Sequence, residues 1–159
     1  MKISPYIRLV SFLVMLIATS SLLAQNLRSG GKLKPEQAIM DIRHYTVALN
    51  VDPKQQTING FTEIELILSE TTTVLLFDFW HGLTVEQVWV NGKKKNFQHG
   101  EDDLIRITDT NPFSAGKIKA KVAYGGKPGI AEKPPWTGGF QWSKDENGNP
   151  WISVTCQSE

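Results

Sequence analysis

Three histidines, His44, His81 and His99, are the residues of this 159-residue chain best suited to bind a metal ion or move a proton. None of them lies in an H-E-x-x-H sequence or in a close-spaced ligand pair, which are the usual patterns of zinc ligands. A zinc site built from them would need distant segments to converge. We therefore interpret all three as exposed or packing residues.

Other catalytic patterns are absent from the sequence. It has no G-x-S-x-G elbow of a serine hydrolase and no G-x-G-x-x-G or Walker-type loop. The acidic run Glu101-Asp102-Asp103 lacks the spacing of a Ca²⁺ loop and is typical of a turn. Cys156 is the single cysteine, so no internal disulfide is expected, and it lies in an apolar stretch where a thiol usually packs as a small hydrophobe. These residues predict a domain without an active site of its own.

Aromatic residues form one cluster near the end of the chain. Trp136, Phe140, Trp142 and Trp151 fall within sixteen positions. Exposed tryptophans there would make a platform for a peptide or a glycan. Alternatively, the two terminal strands bury these rings against a neighbouring sheet or domain, because large aromatics dominate core and interface energetics. We favour burial of the rings.

The first 24 residues have the pattern of a secretory signal peptide. Lys2 and Arg8 precede an apolar run, and small residues up to Ala24 favour cleavage before Gln25. The run after Arg8 has about 16 residues, fewer than the ~20 that span a bilayer. The mature product is therefore expected to be secreted or periplasmic, with no transmembrane span.

The rest of the chain has the size of one domain. Residues 25–40 contain Ser29-Gly30-Gly31 and have the composition of a flexible leader, in which Pro35 suits the start of a helical turn. Residues 41–159 are long enough to bury a modest core. The formal net charge is +1, from 17 Lys and Arg against 16 Asp and Glu, so no nucleic-acid partner is expected.

The first β-hairpin has the clearest pattern. Tyr45, Val47, Leu49 and Val51 alternate with small or polar residues, which predicts a strand with one buried face. Residues 57–68 return with the same period as its partner.

Later segments also read as strands. Residues 72–79 are apolar on both faces and predict a central strand covered from both sides. Asn91-Gly92 is a strong two-residue hairpin signal. Short strands and turns recur without a long amphipathic helix, so the predicted fold class is all-β, an antiparallel sandwich or saddle of two curved sheets. The further predicted strands are residues 85–90, 93–97, 104–107, 117–124, 139–142 and 150–156.

Five segments have an order and spacing that together are specific. They are Asp41–Pro53, Ile58–Ile64, Val88–Lys93 with its V-x-V-N-G-K pattern, the proline-rich Lys133–Phe140, and Trp151–Gln157 with its C-Q pair. Together they resemble the first domain of the aminopeptidase N family of zinc metallopeptidases, the gluzincin aminopeptidases, and the last two segments resemble its secreted bacterial members. The resemblance covers nearly all of residues 34–159.

This resemblance implies a β saddle that covers one side of a thermolysin-like catalytic domain. It implies that zinc is held by an H-E-x-x-H helix and a distant glutamate, both downstream of Glu159, and that the whole enzyme acts on peptides. Residues 41–159 would then be a non-catalytic N-terminal domain, incomplete at its C-terminal end and without a metal of its own. Gln157 would help bind the α-amino group of the substrate.

Two alternatives remain open. The chain would be a free-standing exported β-sandwich if it binds a peptide or glycan through Trp136, Trp142 and Trp151. It would be a structural interaction module if an exposed edge strand pairs with a partner chain.

Overall fold

The computed structural model of the chain describes residues 33–156. By its contacts the chain divides into Met1–Gly31 and Lys32–Glu159, and the fold is that of the second unit. The predicted signal peptide, residues 1–24, and the first half of the predicted leader, residues 25–32, lie outside the described residues. Gln157 lies outside them as well.

One helical turn and ten strands make up the described part of the chain. The strands pair antiparallel into a five-stranded sheet, β1-β2-β8-β4-β5, a three-stranded sheet, β3-β7-β6, and a two-stranded sheet, β9-β10. The prediction of an all-β antiparallel fold is confirmed. The elements are α1 (Pro35–Ala38), β1 (Met40–Asp52), β2 (Thr57–Leu68), β3 (Thr72–Asp78), β4 (Thr84–Val90), β5 (Lys93–Lys95), β6 (Phe97–His99), β7 (Leu104–Phe113), β8 (Gly116–Gly126), β9 (Gly139–Lys144) and β10 (Pro150–Thr155).

Two turns follow directly from local sequence. Between β1 and β2, Asp52 accepts hydrogen bonds through Oδ1 from the backbone N–H groups of Lys54 and Gln55, at 2.8 and 3.0 Å. Such a bond is how an aspartate stabilises a turn. Between β4 and β5, Asn91 and Gly92 have φ values of 49° and 76°. Both lie in the left-handed region that a two-residue hairpin requires, so this predicted hairpin is confirmed.

The core lies between the five-stranded sheet and the three-stranded sheet. Aliphatic side chains from alternate positions of both sheets meet there, and their burial supplies the main favourable term in folding. The least exposed of these core residues, at 2% or less, are Leu66, Leu68, Leu75, Val88, Val90, Ala120, Val122, Ile105 and Ile107.

The apolar face of β1 is on the core side of the larger sheet but is largely uncovered. A bulge between Ile42 and His44 shifts the register, so that Met40 and Ile42 before it and Tyr45 after it share the face of Leu68, Leu66 and Ile64 on β2. Farther along, Tyr45, Val47, Leu49 and Val51 are 37–57% exposed. The prediction that this face is buried is wrong, because the three-stranded sheet does not extend over β1.

Strand β3 lies at the edge of its sheet, whereas the sequence predicted a central strand. It pairs with β7 on one side, and no described strand pairs with it on the other. Leu75 and Phe77 enter the core, while Leu76, on the opposite face, is also buried at 1% exposure. The predicted burial on both faces is therefore right, but it does not require a neighbour on both edges.

Candidate functional site

The β9–β10 hairpin carries three residues of the aromatic cluster, Phe140, Trp142 and Trp151, and ends two residues before Gln157. It is attached to the rest of the fold through the segment 129–131. Phe140 N–H donates to the carbonyl oxygen of Gly129 at 2.8 Å, and Ala131 N–H donates to that of Phe140 at 3.1 Å. A Cβ on Gly139 would lie 2.6 Å from the backbone nitrogen of Ala131, and its φ is 133°. Glycine is therefore required where the two backbones meet.

One face of the hairpin is apolar. Phe140 lies opposite Val154, and Trp142 opposite Ile152. The rings of Phe140 and Trp142 stack with centroids 5.4 Å apart and planes 22° apart, and Phe140 packs against the core. The indole N–H of Trp142 is buried and has no hydrogen-bond acceptor among the described residues.

The other face combines tryptophan with neutral polar groups. Trp151 lies opposite Ser143, and Ser153 lies opposite Gln141 and donates through Oγ to its Oε1 at 3.2 Å. Thr155, two positions further on, donates through Oγ1 to the carbonyl oxygen of Thr137 at 2.7 Å. Thr155 therefore ties this face to the loop that contains Trp136.

Two of the aromatic side chains are exposed. Trp136 is 76% and Trp151 61% exposed, and we call these two residues the tryptophan surface. The predicted burial against a neighbouring sheet is confirmed for Phe140, which packs against the core. For Trp136 and Trp151, burial against a neighbouring domain stays a prediction. The alternation of β10 is the signal that would have separated Trp151 from Ile152 in the sequence.

The loop between β9 and β10 is organised around one carboxylate. Asp145 accepts through Oδ1 from the N–H groups of Asn147 and Asn149, and through Oδ2 from Asn149 Nδ2 at 3.0 Å. The bond from the Asn149 side chain, followed by the backbone bonds, holds the pKa of Asp145 below its usual value. The carboxylate therefore closes the hairpin through contacts within its own loop.

The three histidines lie apart in the fold. His44 is exposed on the outer face of the larger sheet, with Glu65 as its register partner. His81 Nδ1 is 2.7 Å from Asp103 Oδ1, which also accepts from the His81 backbone N–H at 2.8 Å. His99 Nε2 is 3.1 Å from the carbonyl oxygen of Phe79. Within residues 33–156 no three His, Cys, Asp or Glu side chains come together as a metal site.

The remaining predicted features have these positions. Residues 101–103 form part of a turn, as predicted, and Asp103 has a φ of 58°. Cys156 is exposed directly after β10, so the prediction that its thiol packs is wrong. No helix in the described part of the chain is long and apolar enough to cross a membrane.

Several solved structures with a similar fold are zinc metallopeptidases. No family model and no curated protein matches the chain. An M1 zinc metallopeptidase from Deinococcus radiodurans matches with a TM-score of 0.55 and 19% identity over 69% of this chain and 27% of that one. A mutant of an M1 zinc metallopeptidase from the same organism, bound to a Tyr-Ser-Ala substrate, matches with a TM-score of 0.54 and 20% identity over 71% and 28%.

Leukotriene A4 hydrolase from Saccharomyces cerevisiae is similar as well. Its native structure matches with a TM-score of 0.54 and 18% identity, over 74% of this chain and 19% of that one. The chain thus has a fold that M1 zinc metallopeptidases contain, consistent with their N-terminal domain. The chain spans about a quarter of the length of the Deinococcus enzymes. The resemblance predicted from the sequence is confirmed at the level of the fold.

Proposed function

We propose that this chain is the non-catalytic N-terminal β domain of a secreted or periplasmic zinc-dependent aminopeptidase. The shared fold with M1 zinc metallopeptidases is the observation that carries the proposal. The described residues do not fit a zinc site, because His44, His81 and His99 lie apart and two of them contact Asp103 and a backbone carbonyl. In this proposal zinc belongs to the catalytic domain, which this domain covers on one side.

The domain would contribute Gln157 to the binding of the peptide's N-terminus. Side chains alternate along a strand, so Trp151, Ser153 and Thr155 share one face of β10. β10 ends at Thr155, two residues before Gln157 in the chain. The Gln157 amide oxygen would accept a hydrogen bond from the substrate's α-ammonium and would orient the amine without adding a charge.

The hairpin would then lie against the catalytic domain. If Gln157 reaches the active site, β10 must run towards it and bring the tryptophan surface along. Tryptophan is enriched at protein interfaces, which favours such a contact.

Steady-state kinetics of the whole enzyme would test the role of Gln157. For a peptide with a free N-terminus, we expect Gln157→Ala to raise KM by roughly tenfold, the worth of one hydrogen bond to a charged group, with a smaller effect on kcat. Gln157→Glu should keep KM low, because a carboxylate also accepts from the ammonium. Gln98→Ala, an exposed change on β6, is the matched control. Equal KM values for the wild type and Gln157→Ala would overturn the amine-binding role.

Export can be tested separately. N-terminal sequencing of the protein recovered outside the cytoplasm should begin at Gln25, because small residues before it favour cleavage after Ala24. A protein recovered in the cytosol with its first residues intact would contradict the proposed localisation.

A second candidate function is supported by the 76% and 61% exposure of Trp136 and Trp151. The chain would be a free-standing exported module that binds a peptide or a glycan, with the rings stacking on the ligand beside Ser153 and Gln141. Titrating the chain with soluble oligosaccharides and peptides while following tryptophan fluorescence would test it. Saturable quenching that Trp151→Ala abolishes would support this candidate, and an unchanged signal would exclude it.

A further inference from the structure

Strand β1 forms one edge of the larger sheet. It pairs with β2 on one side, and no strand of residues 33–156 pairs with it on the other. The helical turn α1 precedes the bulge between Ile42 and His44 and contacts β3, where Gln37 Nε2 donates to Asp78 at 2.9 Å. Beyond the bulge, the outward N–H and C=O groups of β1 therefore have no partner strand in the described part of the chain.

The part of β1 beyond the bulge is exposed on both faces of the sheet. We call residues 45–51 the edge segment. Its outer-face residues Thr46 and Asn50 are exposed. Its inner-face side chains are 37–57% exposed, and they are Tyr45, Val47, Leu49 and Val51. The edge segment is therefore accessible from both faces as well as from its free edge.

The composition of the edge segment favours pairing with another strand. Edge strands of natural proteins usually carry charges or prolines that prevent such pairing. The edge segment contains no charged residue, no proline and no glycine. Tyr45, Thr46, Val47 and Val51 are of the types that are enriched in strands. The usual protection of an edge is therefore missing between the bulge and Pro53.

The inner face of the edge segment is complementary to itself. In an antiparallel pair, residues directly opposite each other share a face and have Cβ atoms about 4.5–5.5 Å apart. With a twofold axis at Ala48, Tyr45 lies opposite Val51 of a second copy. Val47 then lies opposite Leu49. Every apolar side chain of this face thus has an apolar neighbour across the axis.

The outer face of the same arrangement pairs polar groups. Thr46 lies opposite Asn50, and His44 lies opposite Asp52. An imidazole carries an N–H donor whether it is neutral or protonated, and a carboxylate accepts. Each pair occurs twice because of the twofold symmetry. The outer face therefore places donors opposite acceptors and no like charges opposite each other.

Both neighbouring registers lose this match. Moving the axis one residue towards the start of β1 places Val51 opposite Arg43, across the bulge. Moving it one residue the other way places Tyr45 opposite Pro53, which has no N–H to donate. The bulge and the proline thus select the register that is centred on Ala48.

We propose that the edge segments of two copies of this chain pair antiparallel about Ala48 and join their five-stranded sheets into one continuous sheet. The interface is isologous, because each copy contributes the same segment. Repulsion between copies is small, since the formal net charge of the chain is +1. Pairing one strand buries less than the about 1,600 Å² of a standard interface, so the dimer is in equilibrium with the monomer. This pairing does not depend on the proposed enzymatic function.

Sedimentation velocity of the purified chain over a range of concentrations tests the proposal. We expect a reversible equilibrium between monomer and dimer. Amide exchange in residues 45–51 should slow as the dimer forms, because the outward N–H groups become paired. Exchange in β5, at the opposite edge of the same sheet, should not change. A chain that remains monomeric at every concentration would overturn the proposal.

Two double variants test the register. Thr46→Lys with Asn50→Lys places like charges opposite each other in two symmetry-related pairs and should weaken dimerisation roughly tenfold. Thr46→Lys with Asn50→Glu places opposite charges there and should leave dimerisation at least as strong as in the wild type. Both positions are exposed, so circular dichroism should show an intact fold.

Equal dimerisation of the two double variants would overturn the proposal, because the charges would then not face each other across β1. Self-association that Trp151→Ala abolishes would overturn it as well and would assign the contact to the tryptophan surface.

Discussion

Tyr45 and Ile64 are opposite each other in the register of β1 and β2, yet Tyr45 is 55% exposed and Ile64 5%. Both side chains are on the face of the larger sheet that forms the core. The cover provided by the smaller sheet ends between these two neighbouring strands. One continuous sheet face is therefore interior at β2 and surface at β1.

Because the cover ends between β2 and β1, truncating Ile64 and truncating Tyr45 should lower the free energy of unfolding by different amounts. Ile64→Ala should lower the free energy of unfolding by about 2–5 kcal/mol, because it removes buried methyl groups and leaves a cavity. Tyr45→Ala should lower it by roughly 1 kcal/mol or less, since a largely exposed ring loses little burial. Urea denaturation of the chain measures both. Similar losses for the two variants would mean that β1 is covered as well as β2.

Replacing Gly139 should destabilise the β9–β10 hairpin without destabilising the core. A Cβ there would meet the backbone of residues 129–131 at 2.6–2.8 Å, so Gly139→Ala must displace β9 from its anchor. We expect faster amide exchange and proteolysis in β9 and β10, because local openings need not unfold the main sheets. Gly100→Ala is the control, since the nearest atom to its Cβ, Asp102 Oδ1, would be 3.7 Å away. Unchanged exchange in the hairpin of Gly139→Ala would show that the close approach is not required.

The pair Lys95–Asp109 should make stability sensitive to acid. The hydrogen bond from Lys95, followed by that from the Asn111 N–H, keeps the pKa of Asp109 below its usual value. A carboxylate with a lowered folded-state pKa stabilises the fold above its unfolded-state pKa, near 3.9, and this contribution disappears as the pH falls through the folded-state value. Asp109→Asn should therefore lower the thermal midpoint at pH 7, with a difference that shrinks below about pH 4.

The variant Lys95→Met, alone and combined with Asp109→Asn, provides the control for that pH dependence. Lys95→Met removes the largest cause of the lowered pKa of Asp109, so adding Asp109→Asn to it should produce a smaller change than Asp109→Asn alone. Thermal unfolding between pH 3 and pH 7 measures both differences. A constant gap between the wild type and Asp109→Asn across this range would contradict the assignment.

Local sequence predicted most of the strands but not how the sheets cover each other. Alternation identified the β1–β2 hairpin, and Asn91-Gly92 identified the β4–β5 turn, because both signals depend on neighbouring residues. Tyr45 and Ile64 sit in similar alternating patterns, and their different exposure depends on the width of a sheet built from residues far along the chain. The edge position of β3 also depends on residues far along the chain. An apolar pattern on both faces of a strand predicts burial but does not show whether another strand pairs with each edge.

The sequence predicted the aromatic cluster but not which of its side chains pack against the core and which are exposed. The clustering of Trp136, Phe140, Trp142 and Trp151 is visible in the sequence. Their division into a packed face and the tryptophan surface requires the register of β9 with β10, and the contact of Phe140 with the core requires the anchor at residues 129–131. The amine-binding role of Gln157 rests on the resemblance and stays a prediction.

The nucleotide sequence that follows the codon for Glu159, read in frame, tests the central proposal most directly. We predict an open frame that encodes an H-E-x-x-H sequence and a later glutamate, because the proposed domain supplies no zinc ligands of its own. A stop codon directly after Glu159, with a stable product of that length, would contradict the aminopeptidase proposal and favour the free-standing binding module.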